Sequence, residues 1–393
     1  MEKRVYLDNA STTTISASVY RDMLAAFQDV FGNPSSTHSF GREALSALES
    51  AREKIAKAIG AKSNEIYFTS GGTESNNLAI KGFARANKDK GNHIIVSSIE
   101  HASILEACKD LEKEGFEVTY LPVDKHGVIR YVELVKAISP KTILVSVQTA
   151  NNEVGTIQPL QAIAEYCRIK KIAFHTDAVQ AIGVVPINVS ENKIDMMTIS
   201  GHKIHAPKGV GVLYVKKGLK LCPIISGGGQ EKGLRSGTVN VPFAVAMATA
   251  VSEAVELTAK TAHALRNVRR YFLRKVKEEI PCVELNGHPR ERAAGNANLS
   301  FEGIDATALV ALLDMAGVAV STGAACSAGS AKTSHVLLAM GKTEEEARSA
   351  VRFTFGIDVT PNEIDYAVKE LQKAVKKLRK ISPFKIKKDK EDK

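Results

Sequence analysis

Between residues 64 and 215, short apolar runs alternate with segments of helical periodicity. The runs are apolar on both faces, as in the strands of a mostly parallel sheet that helices cover on both sides. They span residues 65–69, 93–97, 142–147, 172–176, 195–200 and 209–215. The pattern predicts an α/β domain, and in such domains ligands collect at the carboxyl ends of the strands.

The carboxyl third of the chain predicts a second, smaller αβ unit. Residues 241–277 are rich in alanine and leucine with few helix breakers, so we expect one long helix that leads out of the first domain. Strand-like runs follow at 297–301 and 351–355. The expected boundaries are 15–258 for the large domain, 1–14 with 259–380 for the small domain, and 381–393 for a disordered basic tail.

Length and composition allow one large core and a smaller one, because the chain has 393 residues and 44% of them are hydrophobic. The amino terminus has no apolar signal segment, and no stretch approaches the roughly 18 uncharged apolar residues of a membrane-spanning helix. The five cysteines contain no C-x-x-C pair, so neither a disulfide framework nor a zinc site is indicated. We expect a cytoplasmic protein with no membrane partner.

The net charge of +10 raises the question of nucleic-acid binding. Most basic residues are spread along the chain, and the one dense run lies at 376–390. A solvated helix face that runs into a frayed terminus accounts for this run, and no nucleic-acid-binding motif accompanies it. We therefore expect no nucleic-acid partner.

Two neighbouring strand-like runs end in complementary chemistry. Ser200, Gly201, His202 and Lys203 close one run, and Asp177 follows another. An enzyme that uses pyridoxal 5′-phosphate (PLP) needs this pair, the lysine as Schiff base and the acid on the pyridinium nitrogen. Three residues after the acid, Gln180 is placed to hydrogen-bond the ring hydroxyl.

A glycine-containing turn at 70–75 follows the run at 65–69 and opens a helical segment. Gly71 and Gly72 let the backbone approach an anion, free N–H groups at the helix start point towards it, and Thr73 adds a hydroxyl. An ordinary helix start has the same composition. Together with Asp177 and Lys203, the turn predicts a phosphate site.

His101 and Arg352 are further candidates for the same edge of the sheet. His101 follows the run at 93–97, and its imidazole suits stacking on a flat cofactor ring and proton transfer near neutral pH. A structural histidine is the alternative. Arg352 suits a bidentate pair with a substrate carboxylate, and an exposed strand arginine is the alternative.

Two segments rich in small residues predict loops. Residues 321–330 carry one cysteine, Cys326, and their composition favours a flexible loop that exposes its thiol as a nucleophile. A buried small hydrophobe is the alternative, and it fits Cys108 and Cys167 better. The glycine-rich segment 227–238 is suited to reach across a subunit boundary.

These residues resemble the cysteine desulfurases of the NifS and IscS type, in the class V group of fold-type I PLP-dependent enzymes. The resemblance runs nearly the whole length, to about residue 383. The matching motifs lie at 6–13, 32–38, 69–75, 151–155, 175–180, 200–203, 235–238 and 352–353. The resemblance implies a homodimer of a fold-type I PLP-dependent transferase, whose large domain has a mostly parallel seven-stranded sheet and whose smaller domain is α+β.

The resemblance also implies roles for the site residues. Lys203 holds PLP and moves the substrate α-proton, and His101 stacks on the cofactor ring. Cys326 takes sulfur from L-cysteine as a persulfide and leaves alanine. Asp177 and Gln180 are implied to contact the cofactor ring, and Asn152 and Arg352 to hold the substrate carboxylate. The cofactor phosphate is implied to contact Gly72, Thr73, Ser200, His202 and Thr238, the last from the second subunit.

The sulfur is expected to pass to an iron–sulfur scaffold protein or another acceptor. No metal is required, and transient ligation of a cluster iron by Cys326 stays open. The chain departs from common relatives at Ala324 and at His205-Ala206, and it ends in lysines instead of a scaffold-docking tail.

Three alternatives are kept. A selenocysteine lyase and a class V aminotransferase share the fold, and the second needs no thiol in the 321–330 loop. A non-catalytic sulfur carrier or assembly scaffold belongs to a different class. Retention of Asp177, His101, Lys203 and Arg352 together weighs against it.

Overall fold

A seven-stranded sheet dominates the part of the chain that the computed structural model describes, residues 4–322 and 333–382. Its strand order is β2-β8-β7-β6-β5-β3-β4, and only β8 runs antiparallel to its neighbours. The strands of the described chain are β1 (Val5–Tyr6), β2 (Ile66–Thr69), β3 (His93–Ser97), β4 (Glu117–Leu121), β5 (Thr142–Ser146), β6 (Ala173–Asp177), β7 (Met196–Ser200), β8 (Gly211–Val215), β9 (Val283–Asn286), β10 (Asn296–Phe301), β11 (Val318–Ala319), β12 (Ser321–Thr322) and β13 (Ala350–Thr354). The mostly parallel α/β sheet is therefore confirmed.

Helices cover both faces of this sheet. Those of the described chain are α1 (Ala17–Asp29), α2 (Ser39–Ile59), α3 (Gly72–Asn77), α4 (Phe83–Ala86), α5 (Ala102–Lys113), α6 (Tyr131–Ala137), α7 (Leu160–Lys170), α8 (Val241–Glu256), α9 (Thr258–Glu279), α10 (Ala306–Met315), α11 (His335–Ala339), α12 (Glu344–Arg348) and α13 (Pro361–Ile381). A π-helical segment, Leu78–Gly82, joins α3 to α4.

The apolar character of both strand faces has a direct packing reason. In β3, Ile95 belongs to the core beneath α1, α2, α7 and α8, whereas Ile94 and Val96 belong to the core beneath α4 and α5. Successive side chains of a strand point to opposite faces, so a sheet covered on both sides needs apolar residues at every position. The edge strand β4 has exposed and half-buried positions, which is why the sequence pattern did not identify it.

The carboxyl third forms a four-stranded antiparallel sheet in the order β12-β13-β10-β9. Phe272, Phe301 and Phe353 lie at the centre of its core. The start of the chain joins this unit, because β1 pairs with β11. Leu337 and Met340 pack instead on the core of the large sheet, so the boundaries at 14 and 258 stay a prediction.

The expected single helix over 241–277 is wrong. The chain bends by 71° at Leu257, between α8 and α9. No glycine or proline lies at the bend, which follows from packing: α8 lies on α1 and α2, whereas α9 lies on α13 and β10. Within the described ranges, no single helix is long and apolar enough to cross a membrane, although this bent pair passes on length and composition together.

Candidate active site

The loop that follows β1, residues 8–14, lies at the centre of the candidate site. The Lys203 Nζ donates hydrogen bonds to the backbone carbonyls of Ala10, at 2.6 Å, and Ser11, at 2.7 Å. The Gln180 Nε2 donates to the same Ala10 carbonyl, at 2.9 Å. The amino-terminal loop therefore brings together two residues that the sequence placed at the ends of different strands.

The Lys203 side chain starts from a tight 3₁₀ turn, Gly201–Lys203, directly after β7 ends at Ser200. A Cβ at Gly201 would lie 2.9 Å from a Val210 methyl carbon, so only glycine fits beside the start of β8. The turn directs the lysine from the sheet edge towards residues 8–14.

His202 lies on the same turn, and its Nδ1 is 3.2 Å from the Thr12 hydroxyl. Burial, helped by the positive charges of Lys203 and Lys208, lowers the pKa of His202 to about 4. The imidazole is therefore neutral at pH 7, and it can hydrogen-bond an anion without adding charge.

Asp177 ends β6 and is buried. Its Oδ1 accepts the Val179 N–H at 2.9 Å, and its Oδ2 accepts an N–H of the Asn76 side chain at 2.7 Å. Two fixed hydrogen bonds hold the carboxylate in one orientation, as a partner for a ring nitrogen requires.

The predicted phosphate turn follows β2 and leads into α3. A Cβ at Gly72 would lie 3.1 Å from a Val179 methyl carbon and 3.4 Å from the Ser200 Cβ, so a larger residue would fill the cradle between these elements. The Thr73 side chain is exposed and lines a cavity of about 320 Å³ together with His101. The turn, Ser200 and His101 thus lie around one region.

His101 is the N-cap of α5. Its Nδ1 lies 2.8 Å from the Ser103 hydroxyl and accepts the Ser103 backbone N–H at 3.2 Å. The cap holds the imidazole at the wall of the cavity, and the Nδ1 atom points into the helix start.

The residue before this histidine, Glu100, is fully buried. Its Oε1 accepts the Ser97 hydroxyl at 2.5 Å and the Gln148 N–H at 2.8 Å. Burial outweighs these contacts and raises the pKa of Glu100 to about 8, so the carboxyl carries a proton at neutral pH.

Arg352 is 1% exposed, which excludes the exposed strand arginine that the sequence left open. Its Nη2 donates to the Asp8 carboxylate at 2.9 Å and to the Ser11 hydroxyl at 2.8 Å, and its Nη1 donates to the Asn152 carbonyl at 3.0 Å. Among the described residues, the buried Nε has no hydrogen-bond partner. A buried cation with an unused N–H suits a substrate carboxylate.

The polar turn at 151–155 is held by its own side chains. The Asn151 carbonyl oxygen Oδ1 accepts the N–H groups of Glu153 and Val154, at 2.9 and 2.8 Å. Burial raises the pKa of Glu153 to about 7, and its Oε2 accepts the Ser334 hydroxyl. This turn places the Asn152 carbonyl 3.0 Å from the Arg352 Nη1, and a shared contact of the two residues with a substrate carboxylate stays a prediction.

Thr238 is exposed at the end of the glycine-rich loop 227–238. Two ion pairs hold that loop to helices α2 and α3, which pack on the large sheet. Arg235 pairs with Glu74 at 2.9 Å, one residue beyond Thr73, and the buried Glu231 pairs with Arg52 at 2.7 Å. The loop is therefore fixed at its base and exposed at Thr238.

The cysteines divide as expected where the structure describes them. Cys108 and Cys167 are buried on helices, and burial raises the pKa of both thiols to about 12, so neither is a nucleophile at neutral pH. Cys326 lies outside the described residues, and its role stays a prediction.

Four contact residues were not identified from the sequence: Asp8, Ser11, Asn76 and Ser103. Asp8 and Ser11 belong to the polar run at 8–14 that directly follows a strand-like segment, which is a usable signal. Asn76 lies at the end of α3 and has no comparable signal, because its partners Ser103 and Asp177 are 27 and 101 positions away. Ser103 lies in the first turn of α5, and its contact with Asn76 has no local signal either.

The described residues fit PLP. A buried, oriented carboxylate, a lysine amine and a glycine cradle that a Cβ would fill supply what its ring nitrogen, aldehyde and phosphate require.

The chain belongs to the aminotransferase class-V family, whose family model matches residues 5–367. It is 49% identical over 385 residues to the protein of Dictyoglomus turgidum that is named cysteine desulfurase IscS, and this similarity covers 98% of both chains.

Solved structures give the same result. A NifS-like protein has a TM-score of 0.90 at 38% identity and covers 96% of this chain and 100% of its own. A structure described as SspA in complex with cysteine has a TM-score of 0.80 at 38% identity and covers 89% of this chain and 98% of its own. The predicted resemblance to cysteine desulfurases, the fold-type I architecture and the dependence on PLP are confirmed.

Proposed function

We propose that the protein is a PLP-dependent cysteine desulfurase that converts L-cysteine to L-alanine and leaves the sulfur as a persulfide on Cys326. The observation that carries the substrate class is the double contact of Ser11. Its carbonyl accepts from the Lys203 Nζ and its hydroxyl accepts from the Arg352 Nη2. The amine and the carboxylate-binding cation thus meet at one residue, as an α-amino acid substrate requires.

The cofactor would be held by residues from four elements. Lys203 would bind it covalently, Asp177 and Gln180 would contact the ring, and His101 would stack on it. Its phosphate would lie among Gly72, Thr73, Ser200 and His202. When bound, PLP supplies an electron sink next to the substrate α-carbon.

The chain's own residues perform the remaining work. Arg352 and Asn152 orient the substrate carboxylate, and the Lys203 Nζ moves the α-proton. The carbonyls of Ala10 and Ser11 keep the amine in place through two hydrogen bonds. Proximity and fixed orientation of this kind account for a large share of enzymatic rate enhancement.

Sulfur transfer needs a thiolate nucleophile. The Cys326 thiolate attacks the substrate sulfur, an S–S bond forms, and the carbon–sulfur bond breaks with its electron pair left on carbon. That carbon then gains a proton, so one thiol and L-cysteine become one persulfide and L-alanine. The acceptor would be an iron–sulfur scaffold protein or another thiolation partner, in the cytoplasm.

Exposed aromatic side chains on α1, on the segment that follows it and at the start of α2 support a homodimer. Phe31 is 73% exposed, and Tyr20, Phe27 and Phe40 are more than half exposed. The Phe31 and Phe40 rings are 5.1 Å apart, and exposed aromatic side chains of this kind are typical of a protein–protein interface. We expect a second copy of the protein to cover this surface. Thr238 of the exposed loop would then reach the phosphate site of that second copy. Phe31→Glu should shift the mass measured by light scattering towards that of a monomer.

The decisive experiment is L-cysteine turnover by the purified holoenzyme, with alanine, sulfide and keto acid measured in the presence of a reductant. We expect the parent to produce alanine and sulfide. We expect Cys326→Ala to keep its PLP absorbance but to produce no sulfide. Equal activity of the variant would favour a lyase, including a selenocysteine lyase. Keto acid instead of alanine would identify an aminotransferase, and absence of PLP binding would favour a carrier or scaffold.

A further inference from the structure

A continuous chain of hydrogen bonds links Asp177 to His101 through two buried side chains, Asn76 and Ser103. The Asn76 Nδ2 lies 2.7 Å from the Asp177 Oδ2 and 2.9 Å from the Ser103 Oγ. The Ser103 Oγ lies 2.8 Å from the His101 Nδ1. Asn76 is 1% exposed and Ser103 is 8% exposed, so water competes little for these contacts.

The direction of each hydrogen bond follows from the carboxylate. Asp177 accepts but does not donate when it is ionised, so Asn76 must present its NH₂ group to it. The flipped amide would place two oxygens 2.7 Å apart. The second N–H of Asn76 then points to the Ser103 Oγ, which must accept it.

The serine hydroxyl has one hydrogen, and the remaining partner at hydrogen-bond distance is the His101 Nδ1. The Ser103 backbone N–H is directed at the same ring nitrogen, at 3.2 Å. A nitrogen that accepts from two donors cannot carry a proton of its own, so the proton of the neutral imidazole must lie on Nε2.

We propose that Asn76 and Ser103 are positioning residues that hold His101 in the Nε2-protonated tautomer, and that Asp177 sets the direction of the whole hydrogen-bond chain. The orientation has a cost that supports it: among the described residues, the Asn76 Oδ1 is buried without a hydrogen-bond partner. An amide that served only to fill space would have no reason to leave its acceptor unsatisfied.

The hydrogen-bond chain from Asp177 to His101 determines which ring nitrogen of His101 can transfer a proton. Nε2 becomes the only ring nitrogen of His101 that can exchange a proton with a bound molecule, because protonation of Nδ1 would oppose the Ser103 backbone N–H and reverse the serine hydroxyl. This consequence rests on the proposed function, whereas the tautomer itself does not.

The test is the imidazole ¹⁵N spectrum of the holoenzyme labelled at histidine nitrogen, with the His101 signals assigned by comparison with His101→Gln. In the parent, the proton is expected on Nε2. Ser103→Ala removes one of the two donors, and the ratio of Nε2-protonated to Nδ1-protonated ring is expected to fall roughly 2- to 12-fold, the equivalent of one hydrogen bond. Ser103→Thr keeps the hydroxyl and should restore the parent spectrum.

Ser75→Ala is the matched control, because Ser75 is buried on α3 next to Asn76. Its hydroxyl lies 2.7 Å from the Thr69 hydroxyl and takes no part in the hydrogen-bond chain from Asp177 to His101. A parent proton on Nδ1, or equal shifts in Ser103→Ala and Ser75→Ala, would overturn the inference.

A kinetic measurement separates the two proposals. In Ser103→Ala, kcat for L-cysteine should fall in proportion to the measured fraction of the Nε2-protonated ring, with KM unchanged, because Ser103 does not contact Arg352. A fall in kcat without a change in the tautomer ratio would also overturn the inference. If the parent lacks desulfurase activity but has the predicted tautomer, the proposed function fails and the inference about His101 stands.

Discussion

Glu100 should make the folded protein less stable as the pH rises from 5.5 to 8. The carboxyl is fully buried, and burial raises its pKa from the ordinary 4.5 to about 8. The folded state therefore binds a proton that the unfolded state releases in this range. The contribution is fully favourable below pH 4.5 and is lost progressively as the pH approaches 8.

The magnitude follows from the two pKa values. A shift of one pKa unit corresponds to about 1.4 kcal/mol. Between pH 5.5 and pH 8, this one group should lower the free energy of unfolding by about 3 kcal/mol. Glu100→Gln cannot lose a proton, so its stability relative to the parent should rise by the same amount, about 3 kcal/mol, over this interval.

The assay is urea unfolding of parent and variant holoenzyme at fixed protein and PLP concentrations, at half-unit pH steps. Any constant packing cost of the glutamine cancels, because only the pH dependence of the difference is used. Glu344→Gln is the control, since its side chain is 73% exposed. Parallel curves for the parent and Glu100→Gln would refute the reasoning, because Glu100 would then be ionised in the folded protein.

Three further predictions concern the candidate site. Arg352→Lys should raise KM for L-cysteine roughly 10- to 150-fold in steady-state assays, because an ammonium cannot contact Asp8, Asn152 and a substrate carboxylate together. An unchanged KM would contradict the assignment of Arg352 to the substrate carboxylate. Gly72→Ala should weaken PLP binding by at least about fivefold in absorbance titrations, since the added Cβ fills the cradle, and an unchanged PLP affinity would remove Gly72 from the phosphate site. Arg235→Ala should speed tryptic cleavage at Lys232 by about fivefold or more, because the ion pair with Glu74 holds the loop. Removal of the exposed Arg85–Glu114 pair should leave the cleavage rate unchanged. Equal cleavage rates for the parent and Arg235→Ala would mean that the Glu74 pair does not hold the loop.

The sequence was informative wherever chemistry is local. Lys203, Asp177 and the 70–75 turn could be identified because each lies at or just after the carboxyl end of a strand, and parallel strands end at one edge of a sheet. The roles of these residues and of Cys326, Asn152 and Thr238 stay predictions. Arg352 was identified as a candidate, but its burial and its pairing with Asp8 were not foreseen.

The bend at Leu257 could not be predicted, because it depends on tertiary packing and not on local sequence. Residues 241–277 have uniformly good helix formers, and nothing in their local propensity marks the break. The break follows from two different packing surfaces, one against α1 and α2 and the other against α13 and β10. Local propensity is a weak determinant when two cores compete for one segment.

By itself, the sequence determined the α/β class and the mostly parallel sheet, and it identified a lysine, an acid and a glycine turn as candidates for a PLP site, because periodicity and strand-end chemistry are properties of short segments. Only the tertiary structure decided that residues 8–14 join Lys203 to Arg352, that Asn76 and Ser103 link Asp177 to His101, and that Glu100 is fully buried. Ser11 and Arg352 are 341 positions apart, so their contact depends on how β1 and β13 pack and not on any local pattern.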